Sequence, residues 1–73
     1  MNDEVTVTVE VDDTKYRATV NADNEVEIDI DGAWAGEGRW ENGQIVDCAA
    51  NIREVVYDLL DAAIGDAFAA REV

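Results

Sequence analysis

The 73-residue chain has no histidine, no proline and one cysteine, and only five of its side chains are basic. Each shortage excludes something. Histidine is the commonest general base and metal ligand near neutral pH. Without it, the lone Cys48 has no base to activate it as a nucleophile, and a transition metal has almost nothing to bind. A single cysteine cannot form an intrachain disulfide, which fits a reducing compartment. Five basic residues against 18 acidic ones leave a formal charge of −13. That charge repels DNA, RNA and anionic lipid alike, so none of them is a direct partner. No apolar run approaches the roughly 18 residues of a membrane span. The start, Met1-Asn2-Asp3-Glu4, lacks the basic and then apolar pattern of a signal peptide. A cytoplasmic protein that needs no cofactor or metal is the expectation.

What is present is enough for a folded core. Hydrophobic residues make up 48% of the chain, too many for an acidic disordered tail. The length suits one small domain over residues 1–73, with a thin core. Val5, Val7, Val9 and Val11 alternate with polar residues, the signature of a half-buried strand. Tyr16, Ala18 and Val20 repeat the pattern after the polar turn Asp12-Asp13-Thr14. Val26, Ile28 and Ile30 repeat it again after Asn21–Asn24. Asp31-Gly32 suits a tight turn, and Ala33–Glu41 reads as a fourth strand with Trp34 and Trp40 on one face. Asn42-Gly43 suits a further turn, with Gln44–Val46 as a short returning segment.

The period then changes. Ile52, Val55, Val56, Leu59, Leu60, Ala63, Ile64, Ala67 and Phe68 follow alternate spacings of three and one, one face of an amphipathic helix. Asp47 is the expected N-cap, no proline interrupts the pattern, and the helix can run to about Arg71. The predicted fold is α+β: a four-stranded antiparallel meander sheet with one C-terminal helix on one face, ββββα. Gly36 and Gly38 fall at inward positions and mark where the helix crosses the sheet. A helix over residues 48–71 would be roughly 36 Å long, against roughly 20 Å for six-residue strands. Either Gly65 ends or bends it, or its last turns project and bury Ile64, Ala67 and Phe68 in a homodimer contact, or they fray or fold back.

Motif chemistry is sparse. Glu27-x-Asp29-x-Asp31-Gly32 looks like the start of a calcium loop, but its first position is not Asp and the closing Glu is replaced by Gly38. The same residues alternate as a strand does. Gly36-Glu37-Gly38 lacks the continuation of a phosphate cradle. Cys48 reads as a packing residue, and paired carboxylates have no pocket to work in. No catalytic residue is expected.

The acids themselves are ordered. Glu25, Glu27, Asp29 and Asp31 line one strand face at about 6.6 Å steps. Glu54, Asp58 and Asp61 form a helical stripe at spacings of four and three. The charge exceeds the magnitude of about 2–8 that solubility alone asks of a small domain. It points to a strongly basic partner, such as a nucleic-acid-binding protein, or to a salt-adapted structural or oligomeric module. In length, charge, architecture and these two acidic rows, the chain resembles the small phage-encoded inhibitors known as anti-CRISPR proteins and DNA mimics. That resemblance implies a stoichiometric inhibitor of a CRISPR effector or another DNA-handling protein, working in the host cytoplasm with no catalytic residue. The strand row and the helical stripe are its expected contact residues.

Overall fold

The computed structural model describes residues 4–71; the acidic start at Met1-Asn2-Asp3 lies outside them. Five strands and one helix follow in order: β1 (Val5–Val11), β2 (Thr14–Val20), β3 (Glu25–Ile30), β4 (Ala33–Glu41), β5 (Gln44–Val46) and α1 (Glu54–Arg71). The strands form one antiparallel sheet in sequence order. The expected four-stranded sheet is therefore corrected to five. Gln44–Val46 pairs with Arg39–Glu41 because Asn42 and Gly43 both take positive φ, the mirror-image turn that lets two strands meet across two residues. Asp12-Asp13 and Asp31-Gly32 close the β1–β2 and β3–β4 hairpins in the same way.

Alternation fixes the register of the first three strands. Val7 faces Ala18, Ala18 faces Ile28, and Val20 faces Val26 on the inner side. Val20, Val26, Ile28, Val56, Leu60 and Ile64 are fully buried, and they are the larger part of a core that has no buried polar side chain. Removing each such side chain from water stabilises the fold by about 1.5–3 kcal/mol.

In β4 the alternation breaks. The register against β3 shifts between Ile28, which faces Gly36, and Asp29, which faces Trp34. Ala35 is thus an extra residue, a β-bulge. It turns Trp34 to the outer face, 63% exposed, while Trp40 stays inward against Phe68 with ring centroids 6.0 Å apart. The expected common face of the two tryptophans does not form.

The helix begins six residues later than expected. Asp47 has φ +53°, so it turns the chain instead of capping a helix. The extended segment after it lies over the two inward glycines. A Cβ at Gly36 would meet the Ala50 backbone nitrogen at 2.6 Å, and one at Gly38 would meet the Cys48 Cα at 2.7 Å. It is this segment, not the helix, that crosses there. The Tyr57 hydroxyl donates to the Ala50 carbonyl at 2.6 Å and ties the segment to α1.

The helix packs mainly on β1, with further contacts on β2 and β5. One helix therefore meets both edge strands, so the sheet curls around it. α1 runs unbroken through Gly65. At 18 residues it is about 27 Å long, within the 33 Å long axis of the molecule. Ile64 is fully buried in the chain's own core, and Ala67 and Phe68 pack against that core. No described helix is long and apolar enough to cross a membrane.

Candidate functional site

The outer face of the sheet carries the strand row, and the structure separates its members by what each already does. Asp29 is engaged by Arg17 across the β2–β3 pair through both Nε and Nη2. Asp31 sits in the β3–β4 turn at φ +50°, where its Oδ1 accepts the Lys15 backbone N–H at 2.9 Å. Glu25 accepts from the Asn21 side chain at 2.9 Å and lies opposite Arg39. Asn21 in turn accepts the backbone N–H groups of Asp23 and Glu25, which holds the β2–β3 turn.

Glu27 differs from all of these. It lies directly opposite Glu37 on the exposed outer face. Neither carboxylate takes part in an ion pair or a side-chain hydrogen bond among the described residues. Like charges facing each other across a strand pair destabilise it, and no ion pair to either carboxylate among the described residues offsets that cost. Two register positions along, past Ile28–Gly36 and the extra Ala35, stands the exposed Trp34, opposite Asp29. Trp34 is the outer-face residue that periodicity misses. Alternation with the inward Gly36 and Gly38 does turn Glu37 outward, but its register opposite Glu27 has no signal in the sequence.

At the other end of the strand pair, an open depression is lined by Asp23, Glu25, Glu37, Arg39 and Asp47. Arg39 pairs with Glu41 at its rim. Among the described residues, no three acidic or cysteine side chains gather to hold a metal ion.

The helical stripe is also divided. Glu54 and Asp58 are exposed, and Glu54 in the first turn faces the positive end of the helix dipole. Asp61 is half-buried and accepts the Ile45 backbone N–H at 2.9 Å. It thereby satisfies the outer edge of β5. Burial raises its pKa, the Asp58 charge adds to that, and the Ile45 hydrogen bond opposes both. The side chain belongs to the fold and is withdrawn from the exposed row. Strand row and helical stripe do not merge into one surface.

Cys48 lies outside the helix, half-buried against Gly38, and is not in a helical first turn. Burial first, and then the Cys48 side chain, push the Tyr57 hydroxyl pKa up. Compared with family models, curated proteins and solved structures, the chain finds no match in any of the three.

Proposed function

We propose that this chain is a protein-binding module whose acidic outer sheet face covers a basic, nucleic-acid-binding surface of a partner. This is the mode of action of the small phage-encoded inhibitors that its length and charge resemble. The observation that carries the reading is the exposed Glu27–Glu37 pair. A partner's guanidinium or ammonium group set between the two carboxylates would relieve their repulsion, so binding recovers what the free domain gives up. Among the described side chains, Arg17, Arg39 and Arg53 are held in internal pairs with Asp29, Glu41 and Asp12. The surplus of acid thus stays available at the surface.

The test uses the intact domain as bait in a host lysate, eluted with a salt gradient. A nucleic-acid-binding protein should elute at moderate salt, and stoichiometric addition of the domain should displace its DNA or RNA. Glu27→Lys with Glu37→Lys should abolish both. These positions are cleaner than Asp29 and Asp31, whose replacement would disturb Arg17 and the β3–β4 turn. Retained inhibition by the double variant would sink the assignment.

A second reading is favoured by a different observation. Exposed acids are not confined to one face: Asp58 and Asp66 lie on the helix, and Asp12, Asp13, Asp23 and Asp47 in turns and connections. An even acidic coat around one lysine is what adaptation to concentrated salt would produce in a small structural module. Thermal melts against salt separate the readings. A salt-adapted domain unfolds in dilute buffer and needs molar salt, whereas a mimic is folded in both.

A further inference from the structure

Resting on the reading of a basic partner, the geometry points to arginine, in preference to lysine, as the partner residue recognised, with Trp34 as its platform. A tryptophan is the side chain that gains most from burial, and the alternation of β4 would place this one inside. The bulge at Ala35 instead presents it on the outer face. It stands opposite Asp29, two register positions from the Glu27–Glu37 pair and so next to it on the outer face. An exposed indole face beside unpaired carboxylates matches the two halves of a guanidinium. The flat cation stacks on the ring, and its N–H fork donates to a carboxylate. An ammonium offers charge but neither the plane nor the fork. The guanidinium in the same cross-strand row, Arg17, is already engaged by Asp29, so it does not fill this role. The occupant the face fits is therefore an arginine-bearing segment of a basic protein.

The experiment compares octa-arginine and octa-lysine peptides by titration calorimetry and tryptophan fluorescence in dilute buffer. The expected result is arginine binding about two- to fivefold tighter, the size of an exposed cation–π contact, since a lysine ammonium also meets the ring but without the plane and the fork. Trp34→Thr should reduce that preference to what the carboxylate fork alone supplies, while leaving the far-UV circular dichroism unchanged, since Trp40 and the core are untouched. Glu37→Gln should weaken both peptides. Equal affinities in the wild type, or an arginine preference undiminished by Trp34→Thr, would overturn the platform and leave the basic-partner reading standing. No binding of either peptide would overturn both.

Discussion

The carboxylate of Asp61, on the helix, accepts the backbone N–H of Ile45, on the last strand, at 2.9 Å. This bond joins α1 to the short edge strand β5 and closes one side of the curled sheet. It also sets a conflict inside one residue. Burial and the nearby Asp58 charge raise the Asp61 pKa, so the charged form is held less well in the folded protein than in the unfolded chain. The sign follows from linkage. A carboxyl with a raised folded pKa contributes stability below its unfolded value, and that contribution is lost as pH rises through the folded value. At neutral pH the Asp61 charge therefore works against folding while its oxygen serves it. Asp61→Asn keeps an acceptor for Ile45 and removes the charge. It should be at least as stable as the wild type at pH 7, with a flatter stability profile just above pH 4. Asp61→Ala loses the acceptor and should cost about 1 kcal/mol. Urea midpoints from pH 3.5 to 7 distinguish the three proteins, and an Asn variant less stable than Ala would refute the account.

The glycines divide by what surrounds them. A methyl group at Gly36 or Gly38 would run into backbone atoms of the Cys48–Ala50 segment at 2.6–2.7 Å. Backbone cannot rotate aside, so Gly36→Ala and Gly38→Ala should each cost about 2 kcal/mol or more. Gly65 has nothing within 4 Å of its added Cβ and lies inside α1. Gly65→Ala should stabilise by about 0.8–1 kcal/mol through helix propensity alone. Thermal melts should show opposite shifts, at roughly 4–8 °C per kcal/mol for a domain of this size.

Asp12 and Asp13 form the β1–β2 turn with φ of +51° and +63°. Both are L-residues in a left-handed conformation, which glycine adopts at less cost. Asp12 is retained by its ion pair with Arg53 at 2.9 Å, whereas Asp13 has no side-chain ion pair or hydrogen bond among the described residues. Asp13→Gly should stabilise the domain by about 0.5–1 kcal/mol. Asp12→Gly should gain less, because it also releases Arg53. Chemical denaturation of the two variants side by side checks the order.

The same contrast shows what the sequence discloses and what it withholds. Strands β1 to β3 and their facing residues are legible because strict alternation leaves only one way to bury Val5, Ala18, Val26 and Ile28. β4 is legible in its bounds and in the inward Gly36, Gly38 and Trp40, but not in the facing of Trp34, because one extra residue at Ala35 inverts what precedes it and a bulge has no residue type of its own. Asp47 has the right chemistry for an N-cap and is used as a left-handed turn instead. The reason lies in Gly36 and Gly38, which accept an extended segment at close range. Within the acidic rows, residue type announces charge but not employment. Asp29, Asp31 and Asp61 bond to residues 12 to 16 positions away, and no local pattern encodes such a partner.

Glu37 tests whether the acidic face is kept for a partner or for the fold. In the free domain, Glu37→Lys replaces a like-charge cross-strand pair with an opposite one, Glu27 facing Lys. Stability should rise by about 0.5–1 kcal/mol at low ionic strength, and the gain should shrink as salt screens the pair. Association with a basic partner should fall at the same time, since the variant removes one carboxylate and adds a repelling cation beside Trp34. A domain that becomes more stable and binds less well has a surface shaped by a trade between folding and recognition. If the acids serve only hydration in concentrated salt, the variant gains stability in dilute buffer with no binding to lose. Parallel urea denaturation and peptide titration of one protein preparation read both quantities. A variant that binds octa-arginine as tightly as the wild type would remove Glu37 from the contact face.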